Sequence, residues 1–162
     1  SCLNNVKELA LAVMMYTQDY DDTLPASFYP GNPSNNDQWF EKIQPYVNNL
    51  QILVCPSVPN RTPGYGWNYD FIGYGSSTQC TVYNISAIAS PAETIMLGDA
   101  GNYVLYSPSR YGCVPSPGVS TYDYNYAGVR HNEGANLAFC DGHAKWMTAN
   151  SYLYSTTLWD RL

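Results

Sequence analysis

The chain has 162 residues, of which 45% are hydrophobic and only 12% are charged, and its net charge is −6. This length and apolar content suit one folded domain and exclude wholesale disorder. With only seven Lys and Arg residues, the chain has no basic face for nucleic acid and no electrostatic membrane anchor.

The N-terminal segment predicts a helix. Apolar residues recur at intervals of three and four over residues 3 to 20, without Gly or Pro. We expect the helical segment to end by residue 22, because Pro25 prevents its continuation. Apolar positions cover most of its circumference, which indicates deep burial or contact with a partner. A second, short helix is predicted over residues 37 to 46, with Asn36 as its N-cap.

Short apolar runs from residue 50 onward predict β-strands. These runs lie at residues 52–54, 66–72 and 94–98. Residues 107 to 125 contain three Pro and two Gly, so we expect a loop excursion there. The order of the elements predicts a single α+β domain over residues 1–162. Its N-terminal helix, within residues 1–22, would pack on an antiparallel sheet with long loops in the globular part, residues 23–162.

The dipeptide Asp141-Gly142 predicts a hairpin between strands at residues 135–140 and 143–148. A two-residue type I′ turn suits this dipeptide, because both turn positions need a positive φ. The resulting pairing would place Cys140 opposite His143. It would also place four side chains together on the face toward the N-terminal helix: Leu137, Phe139, Ala144 and Trp146.

The segment from His131 to Asp141-Gly142, with nine residues between the His and the Asp, resembles the H-X9-DG domain of bacterial proteins with prepilin-type N-terminal processing. Three further motifs stand in the order expected for that family, at residues 2–7, 53–56 and 90–94. The resemblance implies a type IV pilin-like or pseudopilin fold. It also implies a long N-terminal helix whose apolar first half is missing here. Contact with a membrane is therefore expected only through that absent segment.

The resemblance predicts a structural protein. Its role would be that of a subunit of an extracellular filament, sheath or pseudopilus at the cell surface, assembled by self-association as a homopolymer. The alternative is a monomeric cell-surface module that binds glycans. Either function would use aromatic loop residues, which bury a large area at low entropic cost. The candidates, which would otherwise pack inside the chain beneath long loops, are Tyr65, Trp67, Tyr69, Tyr74, Tyr122, Tyr124 and Tyr126.

Five cysteines without a CxxC pair exclude the zinc-ribbon and thioredoxin patterns. We predict two disulfides and one free thiol, with five reduced cysteines as the alternative. Cys80 and Cys113 would bridge and tie down the loop excursion, and Cys2 would pair with Cys55. Cys2 has a second possible partner in another subunit.

The polar residues of the H-X9-DG motif are predicted to be structural. A strand over residues 135 to 140 would span roughly 20 Å at about 3.3 Å per residue, so His131 and Asp141 should lie at its opposite ends. His131 then precedes a turn, and Asp141 and Gly142 form one. Asp99, at the end of a neighbouring strand, is expected to reach Arg130 or His131 in a buried ion pair.

The sequence predicts neither an enzyme nor a resident cofactor. Cys140 and His143 would be neighbours across the hairpin, but no oxyanion donor or orienting group accompanies them.

An acidic segment suggests calcium as the one metal to consider. Asp19, Asp21 and Thr23 alternate like the opening of a calcium loop. Leu24 and Pro30 occupy the required Gly and Glu positions, which excludes an EF-hand. Another kind of calcium site there is one interpretation, and carboxylates that cap turns are the alternative.

Overall fold

A computed structural model describes residues 2–29, 38–74, 80–105, 129–155 and 157–162. The predicted excursion at residues 107–125 lies outside these ranges. The described elements are α1 (Cys2–Asp19), α2 (Trp39–Lys42), β1 (Tyr65–Asn68), β2 (Ile95–Asp99), β3 (Val104–Leu105), β4 (Gly134–Phe139), β5 (Ala144–Thr148) and α3 (Ala149–Leu153). A helix followed by a sheet confirms the predicted α+β class.

The five strands form one sheet in the order β3-β1-β2-β4-β5. Three neighbouring pairs are antiparallel, but β1 and β3 run parallel. The prediction of a wholly antiparallel sheet is therefore wrong at one edge. The chain leaves β2, turns through residues 100–103 and returns on the far side of β1, where β3 adds two residues. Such a short strand has almost no periodicity, so the sequence pattern did not reveal it.

Helix α1 covers one face of the sheet. Val6, Leu9 and Val13 are fully buried, whereas Leu11 and Met15, on the outer side of the helix, are each 50% exposed. The helix ends earlier than residue 22 because Asp21 and Asp22 adopt positive φ angles, a conformation that Asp tolerates better than most residues. None of the described helices combines the length and apolar character that a membrane span requires.

The β4–β5 hairpin closes with a three-residue loop instead of the predicted two-residue turn. The N–H of Phe139 donates to the carbonyl of His143 at 2.9 Å, and the N–H of Gly142 donates to the carbonyl of Phe139 at 2.9 Å. Gly142 alone in this loop has a positive φ, of 90°. This is the geometry of a turn followed by a left-handed glycine. The pairing is therefore shifted by one residue, so that Leu137 faces Lys145.

This shift separates the four side chains that were expected on one face, because a one-residue slip inverts the orientation of a strand. Ala144 and Trp146 lie on the α1 side, paired with Ala138 and Asn136. The opposite side forms a second hydrophobic core, which includes Leu137, Phe139, Tyr152 and Trp159.

The segment between α1 and β1 differs from prediction in two places. The second helix is limited to Trp39–Lys42. It is followed by a 3₁₀ turn at Gln44–Tyr46, which contains Pro45. Gln38 is the N-cap of the second helix, and the predicted cap Asn36 lies outside the described residues. The strand expected at residues 52–54 is wrong, since Leu50–Leu53 is another 3₁₀ turn, capped by the side chain of Asn49.

Candidate functional site

Four side chains from separate parts of the chain meet beside the N-terminal end of α1. Cys2 lies in the first turn of α1, and Cys55 follows the 3₁₀ turn at Leu50–Leu53. Asp99 ends β2, and His131 precedes β4. We call this group the thiol–histidine cluster. It joins segments that are up to 129 positions apart in the sequence (131 − 2), so it depends on the complete fold.

The ligand atoms of the cluster are close together. The Sγ atoms of Cys2 and Cys55 are 2.9 Å apart, and both thiols are free. Sγ of Cys55 lies 3.6 Å from Nε2 of His131, and the same nitrogen lies 3.4 Å from Oδ1 of Asp99. The two sulfurs and Nε2 all lie within 4.8 Å of one another. A group of this kind can hold a transition-metal ion.

Asp99 is positioned by the neighbouring strand. Its Oδ2 accepts hydrogen bonds from the backbone N–H and the side-chain amide of Asn136, at 2.6 and 3.0 Å. The side chain is fully buried, and within the described part of the chain its Oδ1 accepts no hydrogen bond but lies 3.4 Å from Nε2 of His131. A buried carboxylate oxygen without a donor is costly. A cation beside Oδ1, either a protonated His131 or a metal ion, would offset this cost.

His131 is held by a tight turn. Its backbone exchanges two hydrogen bonds with Gly134, and Asn132 and Glu133 between them have positive φ angles. The indole N–H of Trp146 also donates to the carbonyl of His131, at 2.6 Å. The Asp99 carboxylate, 3.4 Å away, raises the pKa of His131 and outweighs the opposing effect of burial. The site therefore favours positive charge at the imidazole.

The cluster is closely packed on one side and open on the other. A β-carbon at Gly64 would lie 2.9 Å from both the Cβ and the backbone nitrogen of Cys55, so only glycine fits there. On the open side, a pocket of about 410 Å³ is lined in part by Cys2, Leu3, His131 and Trp146. The pocket gives small solutes a route to Cys2 and His131.

The structure brings together two of the pairs expected from the sequence. Cys2 and Cys55 are adjacent, although as free thiols and not as the predicted disulfide. Asp99 reaches His131, as expected, while Arg130 instead donates to the carbonyl of Gly64 at 3.3 Å. These residues were predicted from the sequence as two separate pairs. That the two pairs form one site was not predicted.

The other predicted cysteine pair is only half described. Cys80 carries a free, partly buried thiol, and burial raises its pKa. Its predicted partner, Cys113, lies outside the described residues.

The second half of the H-X9-DG motif lies at the hairpin, away from the cluster. The whole of β4 separates His131 from Asp141, in agreement with the expectation that they do not pair. The Asp141 carboxylate instead accepts hydrogen bonds from the backbone and the ring of His143. Cys140 is fully buried, and burial raises its pKa to about 12. Its thiol stays protonated and inaccessible, so it is not available as a nucleophile.

The aromatic interface candidates divide into three groups. Tyr65 and Trp67 are fully buried, and Trp67 stacks on Trp39 with centroids 5.7 Å apart, so their assignment to an exposed surface is wrong. They lie in β1, a central strand that is buried throughout. Tyr69 and Tyr74 are partly buried and pack edge to face at 5.0 Å. The last three lie outside the described residues: Tyr122, Tyr124 and Tyr126.

The acidic segment after α1 is engaged in turn structure. Oδ2 of Asp19 accepts a hydrogen bond from the hydroxyl of Tyr46 at 2.8 Å. The hydroxyl of Thr23 donates to the carbonyl of Asp21 at 3.5 Å. These contacts fit carboxylates and hydroxyls that shape a turn, and a calcium site here stays a prediction.

The chain was compared with protein-family models, curated proteins and solved structures. No family model, no curated protein and no solved structure matches it. Membership of the H-X9-DG family, and the pilin-like fold that it implies, stay predictions from the sequence motifs.

Proposed function

We propose that this chain is a structural subunit that assembles with copies of itself, in a filament, sheath or pseudopilus at the cell surface. The observation that supports the proposal best is the free edge of β5. This strand ends the sheet, and within the described ranges no other strand pairs with its outer side. An uncovered edge strand is a template for pairing with another chain.

The backbone of β5 has groups directed outward for such pairing. The N–H of Phe139 donates to the carbonyl of His143, and the N–H of Ala149 donates to the carbonyl of Glu133. These bonds show which residues of β5 direct their N–H and C=O groups toward β4. In an antiparallel pair, every second residue then directs its N–H and C=O away from the partner. In β5 these residues are Ala144, Trp146 and Thr148. They offer a short ladder of donors and acceptors to a second copy.

A second copy of β5 is a suitable occupant of this edge. In an antiparallel pairing centred on Trp146, Lys145 of one copy lies opposite Met147 of the other. The only charged residue of the strand therefore does not face its own equivalent, which would be destabilising. Trp146 is 41% exposed and would lie near its equivalent at the centre.

The outer side of α1 adds apolar area to the proposed interface. Leu11 and Met15 are half exposed and one helical turn apart. Met14, on the same helix, lies next to the hairpin loop at Gly142. Helix residues at such spacing form a continuous stripe. Paired edges and the apolar stripe together offer the hydrogen bonds and hydrophobic contact that a homopolymer needs.

Thr148→Pro tests the edge while sparing the hairpin. Thr148 has a φ of −65°, which proline adopts without strain, and its N–H points away from β4. Thr148→Ala is the matched control, since it also removes the hydroxyl that bonds to Ser151 but keeps the N–H. We expect wild type and Thr148→Ala to form oligomers or filaments in sedimentation velocity and electron microscopy, and Thr148→Pro to lose them.

The helix stripe is tested in the same assays. We expect the double change Leu11→Lys and Met15→Lys to weaken assembly. Leu50→Lys, at a residue that is 52% exposed but belongs to neither α1 nor β5, should leave assembly intact. A wild-type chain that stays monomeric at high concentration would refute self-association. Oligomers unaffected by Thr148→Pro would place the interface elsewhere and refute the role of β5.

Glycan binding is the second candidate, and one pocket favours it. A polar pocket of about 570 Å³ has the aromatic residues Phe40 and Tyr103 in its lining, together with amide side chains that include Asn60 and Asn102. Aromatic stacking next to amide groups is suited to sugar rings. Monomers that bind polysaccharide in the sedimentation samples would support this function in place of assembly.

A further inference from the structure

We propose that the thiol–histidine cluster is a binding site for Zn²⁺, with Cys2, Cys55 and His131 as ligands and Asp99 as the fourth. The site would fasten the N-terminal turn of α1 to the loop after residue 53, to the end of β2 and to the turn before β4. This inference is independent of self-association. On binding, the ion replaces the two thiol protons and any proton on Nε2 of His131, and all of these protons pass to solvent.

Of the six distances between the four proposed ligand atoms, the structure gives three, and two of these fit a tetrahedral ion. Zinc–ligand distances of about 2.0 to 2.3 Å place neighbouring ligand atoms roughly 3.3 to 3.8 Å apart. The distance from Sγ of Cys55 to Nε2 of His131 is 3.6 Å, and that from Nε2 to Oδ1 of Asp99 is 3.4 Å. The two sulfurs, at 2.9 Å, would separate by somewhat less than 1 Å on binding.

Asp99 provides an independent argument for a cation. Its side chain is fully buried and Oδ2 accepts two hydrogen bonds, whereas Oδ1 accepts none from the described residues and faces Nε2 of His131 at 3.4 Å. A disulfide between Cys2 and Cys55 would not use this oxygen. A metal ion beside Nε2 would use it, and would offset the cost of burying the carboxylate. A cysteine pair alone therefore does not explain why Asp99 and His131 lie beside it.

The donor set selects the metal. Two thiolates and an imidazole suit zinc and related transition metals, while calcium and magnesium require oxygen ligands. The site thus differs from the calcium loop considered near Asp19. The pocket that reaches Cys2 and His131 supplies an entry path for the ion.

Metal titration of the reduced full-length chain tests the proposal. Zn²⁺ content is measured by elemental mass spectrometry after dialysis, and Co²⁺ is used as the spectroscopic probe. We expect one equivalent of Zn²⁺, and with Co²⁺ a sulfur-to-metal charge-transfer band and the visible bands of tetrahedral coordination. Cys55→Ser and His131→Ala should each lower affinity on the order of 100-fold or more, and Asp99→Asn about 10- to 100-fold.

Two further variants keep the test decisive. Cys80→Ser changes a partly buried thiol outside the cluster and should bind like wild type. Cys2→Ser leaves the buried Cys55 in place, so it should fold, bind more weakly and show about half the charge-transfer intensity. The proposal is overturned if the reduced chain takes up no metal, if Cys80→Ser weakens binding as much as Cys55→Ser does, or if the chain is isolated with a Cys2–Cys55 disulfide and no zinc.

Discussion

At the tip of the β4–β5 hairpin, Asp141 forms a local interaction that depends on pH. Partial burial acts to raise the pKa of Asp141, but hydrogen bonds from the backbone and ring of His143 outweigh it and hold the pKa below its ordinary value of 3.8. A carboxyl group whose pKa is lower in the folded than in the unfolded chain stabilises the fold at pH values above its unfolded pKa. This stabilisation is lost as the pH falls through the folded pKa.

We expect Asp141→Asn to lower the free energy of unfolding near neutral pH, because the charged acceptor for His143 is lost. In urea unfolding, the difference from wild type should be present at about pH 7 and should shrink toward zero at about pH 2, where both chains are uncharged at this position. Glu8→Gln, an exposed change on α1, is the control and should alter stability little near neutral pH. A difference that stays constant over this range would show that the charge of Asp141 is not involved.

The thiol–histidine cluster shows which residue contacts could be predicted from the sequence and which could not. Pairing of Cys2 with Cys55 followed from counting cysteines, and pairing of Asp99 with His131 followed from the predicted ends of strands. Their union depends on where α1 starts relative to the end of β2, and no local pattern contains that information. Oδ1 of Asp99 argues for a cation only because Asn136 occupies the other oxygen and leaves Oδ1 facing His131.

Helix α1 shows how a broad apolar face divides into a buried and an exposed part. The sequence predicted burial or partner contact for most of the helix surface. In the structure, the side toward the sheet is buried and the outer side carries the exposed apolar residues. Leu9 is fully buried against the sheet and the turns beside it, whereas Leu11 is 50% exposed. The two leucines are two positions apart, which places them on nearly opposite sides of a helix.

Leu9→Ala and Leu11→Ala measure this division directly. Leu9→Ala should lower the free energy of unfolding by about 2 to 5 kcal/mol, since it removes buried methyl groups and leaves a cavity. Leu11→Ala should change it by about 0.5 kcal/mol or less in the monomer. The measurement is chemical denaturation at low protein concentration, which keeps any self-association out of the comparison. Equal losses from both changes would mean that the helix buries a different face.

The β4–β5 hairpin shows that local sequence rules can predict the limits of strands without predicting the turn that joins them. Both strands were predicted within one residue of their observed limits, but the turn type was wrong. Asp-Gly suits a two-residue turn and also a three-residue loop that ends in a left-handed glycine. The choice between them inverts one strand relative to the other. The α1 face accommodates Ala138 and Cys140, while Leu137 and Phe139 fill the core on the opposite side of the sheet.

At the scale of the whole molecule, the sheet separates two hydrophobic cores. One contains α1 with Trp39 and Trp67, and the other contains Tyr152 and Trp159. The helix-then-sheet order could be predicted because α1 is long and periodic. The second core could not, because α3 has only five residues and Trp159 lies beyond any regular element. Short segments acquire their place from packing and not from propensity.

The two cores should unfold as one unit, because the same strands form part of both and Asn68 of β1 joins the C-terminal segment to the sheet. Nδ2 of Asn68 donates to the carbonyls of Ile95 and Trp159, at 2.8 and 3.2 Å. Trp159→Ala, on the face opposite α1, should therefore lower the free energy of unfolding by about 3 to 5 kcal/mol. This loss should appear equally in the helical circular dichroism of α1 and in the fluorescence of the three remaining tryptophans, of which Trp39 and Trp67 are buried, with coincident transitions. Leu162→Ala, in the same terminal segment but 88% exposed, is the control and should have little effect. Should the α1 signal keep its wild-type transition in Trp159→Ala, the sheet would not couple its two faces, and the C-terminal segment would be a layer that unfolds separately.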